Sequence, residues 1–300
     1  MSILLNCEDT ASIGLDELTY GLEHEIKTRD DESLIECAPL LRRLGNNKTF
    51  LASSIAAQLK SRISAHSLMT PFPEPSLELY SSKDFQVRAV FWFPPTMFPL
   101  SRRWQAKSLS YLQAHDHEHS FLTIGYYGPG YLTHLYECDP DAIRGIPGER
   151  VELIERPSQS ISEGKMMIYQ ESRDVHIQDH AADFSITLNI ALKSRIHKKP
   201  QTLFNLDNNT VTLSVTSEAA HFAHLFQIAQ HLEDSTTASA IEHVAETHPE
   251  NEIRIQARKH LAHSDPGNAA NHLRALETIG TPEARAAMVE ISRQAEGRNN

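Results

Sequence analysis

The sequence predicts an α+β protein in which a central antiparallel β-barrel or jelly roll carries helical segments at both ends. Three observations support this fold class. Apolar residues recur three and four positions apart in the first part of the chain, short β-rich runs separated by turns follow, and helical spacing then returns. The expected organisation is an N-terminal helical region at 1–75, a barrel at 76–216 and a C-terminal helical region at 217–300.

The N-terminal region has the spacing of amphipathic helices. Leu15, Leu18 and Leu22 fall on one helical face, and similar apolar rows follow them. The sequence Gly45-Asn46-Asn47 predicts a helix end and a new start. The segment 69–76 contains three prolines, which lack a backbone N–H and restrict the residues before them, so we expect a linker there.

The central region consists of short runs rich in β-branched and aromatic residues. Turn signals such as Gly128-Pro129-Gly130 separate these runs. Strands are expected at Phe85–Phe93, Ser120–Tyr127, Tyr131–Glu137, Arg150–Ile154, Lys165–Tyr169, Phe184–Leu192, Thr202–Leu206 and Thr210–Val215. Short strands at this spacing are typical of an antiparallel barrel or jelly roll.

The C-terminal region repeats an arrangement of helix, proline-containing turn and helix. Thr237–His248 and Pro249–Ala262 form the first pair, and Ala270–Gly280 and Thr281–Ser292 form the second. The string Glu252-Ile-Arg-Ile-Gln-Ala-Arg258 resembles HEAT repeats. The resemblance implies stacked helix pairs, and so few repeats need another surface to pack on, either the barrel or a second subunit. A homodimer is one way to provide that surface.

The overall charge limits the classes of partner. The formal net charge is -11 and no long Lys/Arg run is present, so nucleic acid and anionic membranes are not expected partners. No run approaches the roughly 20 apolar residues of a membrane-spanning helix, and the N-terminus lacks the pattern of a signal peptide. Cys7, Cys37 and Cys138 form no CxxC pair, which favours reduced thiols in a cytoplasmic protein.

A set of histidines is the main functional signal. His115 and His117 are two residues apart, so on a β-strand both would point to the same face, the barrel lumen. A third imidazole should come from a distant strand, and His176 lies between two predicted strands. Imidazoles suit divalent first-row metals, and three of them leave coordination positions open. His119 continues the same row, either as a replacement ligand or beside the ligands, where it would orient one of them.

This layout of His-x-His, intervening strands, a glycine-opened strand and a later histidine resembles the cupin superfamily, whose fold is a double-stranded β-helix. Many cupins carry a glutamate ligand where this chain has Phe121, and their usual turn before the last histidine is replaced here by Glu171-Ser-Arg-Asp174. The set without glutamate is similar to the thiol dioxygenase branch, typified by cysteine dioxygenase.

The string Ala114-His-Asp-His-Glu-His-Ser-Phe-Leu122 is similar to the His-Asp-His segment of that branch. The resemblance implies ferrous iron held by His115, His117 and His176, with dioxygen and substrate bound side by side. Leu122 and Lys193 stand where some members have a cross-linked cysteine and tyrosine. The thiol substrate of that branch therefore does not carry over directly.

Arginines are candidates for binding a substrate carboxylate, because guanidinium offers a planar, bidentate fork. Arg88, Arg102, Arg103 and Arg173 are the candidates. Arg173 precedes His176 by three residues and is also a candidate for a part in the reaction. The alternative for Arg173 is an ion pair with Asp174 or Glu171. Arg88 lies in a predicted strand, where a buried charge would need a partner, so a structural role is its alternative.

Two tyrosines complete the candidate site. The phenol of Tyr169 is a candidate catalytic group that donates to bound oxygen or substrate, and Tyr127 is a candidate for shaping the substrate pocket. Aromatic residues in strands also commonly pack in the core, so that alternative stays open.

The sequence thus predicts a mononuclear non-haem Fe(II) oxygenase, a dioxygen-dependent oxidoreductase acting on a small carboxylate-, amino- or thiol-containing molecule. Two other classes remain. The chain could be an interaction or ligand-binding protein without catalysis, because barrels host many functions. It could also be an isomerase or hydrolase with manganese, nickel or zinc, because imidazoles alone do not choose among these metals.

Overall fold

The computed structural model describes residues 2–56, 76–95, 111–193, 200–215, 222–223, 225–226, 228–229 and 235–297. The chain divides into two compact units. The first comprises Met1–Ala142 and Val151–Lys199, and the second comprises Ile143–Arg150 and Pro200–Asn300. The predicted boundaries at residues 75 and 216 stay a prediction.

The described part of the first unit contains α-helices and strands of two antiparallel sheets. Two of its helices are α1 (Leu15–Glu25) and α2 (Asp31–Asn46), and residues 50–56 are also helical. The strands are β1 (Ile3–Leu5), β2 (Ser76–Ser81), β3 (Phe85–Trp92), β4 (Ala114–His115), β5 (Phe121–Tyr127), β6 (Leu132–Glu137), β7 (Ile154–Ser160), β8 (Met166–Tyr169), β9 (Asp174–Gln178) and β10 (Ser185–Leu192). The first sheet has the order β1-β8-β5-β10-β3-β2, and this unit contributes β4-β9-β6-β7 to the second sheet.

The first sheet separates two buried layers, because side chains alternate between faces along each strand. On β3, Val87 and Ala89 belong to the layer that faces the helices. Val90 and Trp92 belong to the opposite layer, which also includes Leu135 of the second sheet. We call the face of the first sheet that bears Val90 and Trp92 the inner face. The inner face positions the candidate site.

The helices cover the other face of the first sheet. Leu18 and Leu22 of α1 and Leu41 and Leu44 of α2 are fully buried. Burying one such leucine stabilises the fold by roughly 1.5–3 kcal/mol. The side chain of Asp30 caps α2 by accepting a hydrogen bond of 2.9 Å from the backbone N–H of Ser33. As predicted, α2 ends within the Gly45-Asn46-Asn47 sequence.

Strand predictions are confirmed where apolar and aromatic residues are dense. Those for β3, β5, β6, β8 and β10 agree with the structure to within one residue at each end. The strand predicted at Arg150–Ile154 is wrong, because the regular strand is β7, which starts at Ile154. Most of its residues are exposed, and it pairs only with β6 among the described strands, so no apolar alternation marks it. Pro157 is tolerated in it because it is an edge strand.

The sequence also left four strands of the first unit unpredicted. These are β1, β2, β4 and β9. The expectation that His115 and His117 share one strand is wrong as well, since β4 ends at His115. The structure confirms a mixed chain of helices and two antiparallel sheets. Closure of these sheets into a barrel stays a prediction.

The second unit combines a β-hairpin with helices. Its elements are β11 (Gln201–Asn205), β12 (Thr210–Val215), α3 (Ser235–Thr247), α4 (Asn251–Ser264), α5 (Ala269–Ile279) and α6 (Pro282–Gly297). The strands pair antiparallel. The helices correspond to those predicted, and Ile255, Leu276 and Ile291 form a core shared by α4, α5 and α6. The HEAT-like character of these helices stays a prediction.

Two expectations about composition can be compared with the structure. Cys7, Cys37 and Cys138 are all free thiols, as expected from their spacing. Within the described ranges, no helix combines the length and the apolar composition needed to cross a membrane.

Candidate metal centre

Three histidines predicted as ligands come together in the first unit. Each of His115, His117 and His176 offers one ring nitrogen, and these nitrogens all lie within 4.8 Å of one another. In the part of the chain that the structure describes, no other group of histidine, cysteine or acidic side chains meets this geometry. His117 and His176 are far apart in the sequence, and the pairing of β4 with β9 brings them together.

Strand pairing and one turn position the three rings. His115 on β4 and His176 on β9 are direct partners in the second sheet, and their ring centroids are 4.3 Å apart. His117 follows β4, and its carbonyl accepts a 2.9 Å hydrogen bond from the backbone N–H of Ser172. Its ring lies 5.0 Å from each of the other two rings. The cluster is therefore tied to the turn before β9 as well as to both strands.

Burial keeps the three imidazoles neutral. It lowers the pKa of His115 and lowers the pKa of His176 well below 6.5. Burial also lowers the pKa of His117 well below that value, and the neighbouring histidines and the positive charge of Arg88 lower it further. Because only a neutral imidazole has a lone pair for a metal, the cluster is ready to bind one at pH 7.

The hydrogen bonds of the rings leave nitrogens available. Nδ1 of His115 lies 2.8 Å from the carbonyl oxygen of Gln113, so Nδ1 carries the proton and Nε2 the lone pair. Nε2 of His117 and both ring nitrogens of His176 are buried and have no hydrogen-bond partner of good geometry among the described residues. The backbone of Asp174 acts only weakly on His176, raising its pKa against the larger lowering by burial. Buried polar atoms without partners are costly and rare, which points to a missing ligand.

The donor set fits a divalent first-row metal. With a metal at about 2.1 Å from each nitrogen, tetrahedral or adjacent octahedral ligands lie about 3.0–3.4 Å apart. The three nitrogens lie within 4.8 Å of one another, so the rings would have to move closer together to bind the metal. Three neutral nitrogens leave the charge of a divalent ion uncompensated, which favours an anionic molecule at the open positions.

Aromatic rings form one wall of the cluster. Phe121 packs edge-on against His117 at 4.8 Å and stacks on Tyr169 at 4.6 Å, and Tyr169 lies 4.6 Å from His176. The hydroxyls of Tyr131 and Tyr169 are 3.4 Å apart. Burial raises the pKa of Tyr131 to about 12 and raises that of Tyr169 well above 10, so both phenols stay protonated. Phe121 thus offers an apolar ring beside His117, not a carboxylate ligand.

Arg88 lies within electrostatic reach of the histidines. It alternates with Val87 and Ala89 on β3, which places its side chain on the inner face with Val90 and Trp92. Its positive charge lowers the pKa of both His117 and Tyr131. The expected role of Arg88 in binding the carboxylate of a substrate stays a prediction.

The other predicted residues lie in different surroundings. Arg173 is about half exposed and pairs with Glu137, its Nη1 lying 3.4 Å from a carboxylate oxygen. Tyr127 is 55% exposed and six residues along β5 from Phe121, about 20 Å at the usual strand rise. Arg102, like Arg103, lies outside the described residues. The proposed roles of Arg173, Tyr127 and Arg102 stay predictions.

His119 is the remaining predicted residue. Its ring lies 5.7 Å from that of His117 and 6.1 Å from that of Phe121. It does not belong to the group whose ring nitrogens converge. Its predicted place beside the ligands stays a prediction.

Sequence reasoning missed several residues of the buried layer that contains Val90 and Trp92. Tyr131 contacts Tyr169, and Trp92 lies 4.1 Å from Tyr131 while donating its indole N–H to Thr187 at 3.0 Å. Asn189 is the clearest case with a sequence signal. It is an amide in the middle of β10, whose eight residues are all buried. A polar residue in such a strand needs an explanation.

Comparison with known proteins assigns this chain to no family. No family model and no curated protein matches the sequence. Among solved structures, one similar to this chain is a hydroquinone 1,2-dioxygenase from Sphingomonas sp. TTNP3 with 4-hydroxybenzoate bound, at 10% identity, covering 45% of this chain and 72% of that chain with a TM-score of 0.27.

Two further structures are similar at the same level. One is a hydroquinone 1,2-dioxygenase in complex with Cd²⁺ and 4-hydroxybenzonitrile, at 10% identity, 45% and 71% coverage and a TM-score of 0.26. The other is a prolyl 4-hydroxylase from Phytophthora capsici, at 10% identity, covering 95% of this chain and 83% of that chain with a TM-score of 0.23. At these TM-scores and this identity, the likeness carries no inference about function.

Proposed function

We propose that the protein is a mononuclear non-haem iron oxygenase of the cupin type, close in its ligand set to cysteine dioxygenases. His115, His117 and His176 would hold Fe(II), and the substrate would be a small carboxylate-, amino- or thiol-containing molecule. One observation carries the proposal. Three imidazoles whose pKa values are lowered by burial converge, and Nε2 of His117 and the ring nitrogens of His176 have no hydrogen-bond partner of good geometry among the described residues.

Among the described residues the converging group is three histidines without a carboxylate, a donor set that resembles the thiol dioxygenase branch more than the cupins with a glutamate ligand. Iron, when bound, would supply adjacent positions at which dioxygen and substrate can meet and exchange electrons. A donor set of neutral nitrogens favours an anionic group of the substrate at the metal. Phe121 contributes an apolar ring that excludes water from the side of His117.

The chain's own residues have distinct roles in this proposal. Arg88 would pair with the substrate carboxylate, as its charge already acts on His117 and Tyr131. Tyr169, whose raised pKa keeps the phenol protonated, would donate a hydrogen bond toward the reacting atoms. The hydroxyl of Tyr131 lies 3.4 Å from that of Tyr169 and would help to orient it.

The test combines metal content with oxygen consumption. We would purify the protein anaerobically, measure iron, manganese, nickel and zinc by emission spectrometry, and follow oxygen uptake with a panel of thiols, amino acids and other small carboxylates. The expected result is about one iron per chain, and loss of iron and of uptake in His117→Ala. The matched control is His134→Ala, because His134 bonds to Ser158 and Asp179 on the exposed face of β6.

Two outcomes would contradict the proposal. Metal below stoichiometry in the wild type that His117→Ala leaves unchanged would exclude the histidine cluster as a metal site. Stoichiometric zinc, with no oxygen uptake after exchange for iron, would favour the hydrolase alternative.

We also propose that the C-terminal helices are HEAT-like repeats and that the protein forms a homodimer. The core that α4, α5 and α6 share through Ile255, Leu276 and Ile291 supports the repeat arrangement. Light scattering on the purified full chain should give the mass of two chains. A mass of one chain at all accessible concentrations would exclude the dimer.

A further inference from the structure

Two connections pass between the sheets of the first unit beside the histidine cluster. The first joins β4 of the second sheet to β5 of the first sheet and carries His117. The second joins β8 of the first sheet to β9 of the second sheet, and His176 follows it on β9. We call residues 116–120 the His117 connection and residues 170–173 the β8–β9 turn. The spacing between these two ligands depends on how the connections are held together.

Two hydrogen bonds join the connections. The backbone N–H of Ser172 donates to the carbonyl of His117 at 2.9 Å. The backbone N–H of Glu171 donates to the hydroxyl oxygen of Ser120, also at 2.9 Å. Ser120 is 6% exposed and Ser172 is 5% exposed, so water does not readily replace either bond. The first bond uses only backbone atoms, whereas the second requires the side chain of Ser120.

The backbone at Ser172 is in the left-handed region, with a φ of +56°. This conformation costs a residue other than glycine about 1–2 kcal/mol, so the surrounding contacts have to compensate for it. These contacts include the bond to His117 and the carbonyl of Ser172, which accepts a 3.3 Å hydrogen bond from the thiol of Cys138. A disfavoured conformation that is kept beside a ligand supports a role in placing that ligand.

His117 depends on these bonds more than the other two ligands do. His115 and His176 lie on β4 and β9 and are direct partners in the second sheet, so strand pairing fixes their relative position. His117 lies beyond the end of β4 and outside a strand. The three ring nitrogens lie within 4.8 Å of one another and have to come closer to bind a metal. The placement of His117 therefore decides whether they can share one ion.

A structural role alone is the alternative for Ser120. A buried hydroxyl can accept from a backbone N–H merely to satisfy that donor, as Ser185 does for Gly130 at 3.0 Å. Ser185 lies far from the histidines. It is six residues along β10 from Ala191, the partner of Phe121, which is about 20 Å at the usual strand rise. Ser120 differs because its bond joins the connection that bears one ligand to the turn that precedes another.

We propose that Ser120 is a positioning residue of the metal centre. Its hydroxyl holds the β8–β9 turn against the His117 connection and so sets the distance between His117 and His176. The bond from Ser172 has the same role through the backbone. The inference rests on the histidine ligands of the proposed function and deepens it. It concerns how the metal is held, and it does not require the metal to react with dioxygen.

The test is the binding of Co(II), whose visible absorption reports the number and geometry of its ligands. Co(II) is titrated anaerobically into the metal-free, full-length protein, and the midpoint of unfolding without metal is measured on the same samples. The wild type should bind one Co(II) per chain, with an absorption that His117→Ala removes. Ser120→Ala should bind Co(II) about tenfold or more weakly and with a changed absorption.

Two further variants separate the placement of His117 from stability. Ser120→Thr keeps the hydroxyl and should restore the Co(II) affinity and absorption of the wild type. Ser185→Ala removes a comparable buried acceptor far from the histidines. It should lower the midpoint of unfolding by an amount similar to that of Ser120→Ala and leave the Co(II) affinity unchanged.

Either of two results would overturn the inference and leave the oxygenase proposal intact. One is a folded Ser120→Ala protein whose Co(II) affinity and absorption equal those of the wild type. The other is an equal loss of Co(II) affinity in Ser185→Ala, because lowered stability alone would then explain the effect.

If Ser120→Ala does not fold, hydrogen exchange of the wild type decides. Zn(II) should slow the exchange of the backbone N–H groups of Glu171 and Ser172 more than that of Asp179, which donates to the carbonyl of Leu132 at the other end of β9. Equal slowing at the three positions would overturn the inference.

The remaining outcomes distinguish this inference from the proposed function. A wild type that binds no Co(II) would contradict both. A loss of Co(II) affinity in Ser120→Ala, in a protein whose iron-loaded wild type consumes no oxygen, would support the inference and remove the oxygenase proposal.

Discussion

At the scale of single residues, burial has the largest effect on the chemistry of this protein. The same desolvation that lowers the pKa of His115, His117 and His176 raises the pKa of Tyr169. In each case burial disfavours the charged form. The histidines therefore keep lone pairs and the phenol keeps its proton, the protonation states that a metal site with a neighbouring hydrogen-bond donor requires.

The lowered pKa of His176 gives a stability prediction. The unfolded chain binds a proton at this residue near pH 6.5, whereas the folded chain does so only at lower pH. Because the unfolded state then binds more protons, the free energy of unfolding of the metal-free protein should fall as pH drops below about 6.5. Between pH 7.5 and 5.5, His176→Phe should lose about 1 kcal/mol less than the wild type in urea titrations. Equal losses would contradict the lowered pKa.

The thiols should differ in reactivity. Burial raises the pKa of Cys37 and of Cys138 to about 12, whereas Cys7 is only half-buried. Since the thiolate is the reactive form, a disulfide reagent at pH 8 should modify one thiol quickly in the folded protein and all three after denaturation. Cys7→Ser should remove the fast reaction. A fast reaction that persists in Cys7→Ser would mean that a buried thiol becomes accessible.

At the scale of elements, the sequence predicted strands whose composition reflects burial on both faces. Phe85–Trp92 and Ser185–Leu192 have many apolar and β-branched residues because the first sheet is covered on each side. The strand Asp174–Gln178 was missed because three of its five residues are polar. Four of the five residues are nevertheless buried. Its histidine was nevertheless chosen correctly as a member of the cluster, because residue type and spacing carry that signal.

The parts of the site that the sequence could not predict depend on register between strands. His115 faces His176, and Asn189 stands between Arg88 and Thr123, only because of the particular pairing of β4 with β9 and of β10 with its neighbours. A shift of one residue would turn each side chain to the other face. Composition and spacing do not specify this register, so these neighbours could be recognised only in the folded chain.

One glycine in β5 should be essential for that register. A Cβ at Gly125 would lie 2.1 Å from the carbonyl oxygen of Ser162, a backbone atom that cannot move freely. Gly125→Ala should therefore destabilise the protein by about 3 kcal/mol. The comparison variant is Gly148→Ala, which has open space but a φ of +84° and should cost about 1 kcal/mol. Denaturant titrations giving the reverse order would show that the contact at Ser162 is not tight.

At the scale of the whole molecule, the candidate metal site links both sheets of the first unit. Its ligands lie on or next to β4 and β9 of the second sheet, and Phe121 and Tyr169 belong to the first. A metal held there would stabilise the packing of the two sheets, because it binds the folded arrangement and not the unfolded chain. The histidine cluster would then be a structural element of the unit as well as its candidate metal site.

Metal removal should therefore lower thermal stability by a calculable amount. A ligand at one hundred times its dissociation constant stabilises the folded state by about 2.7 kcal/mol, which shifts the midpoint of unfolding upward by several degrees. Anaerobic Fe(II) should raise the midpoint of the chelated wild type and of His134→Ala. It should leave His117→Ala, which lacks one of the three ligands, unchanged. A shift of the same size in His117→Ala would place the stabilising metal elsewhere in the chain, and the three histidines would then have to be explained by packing alone.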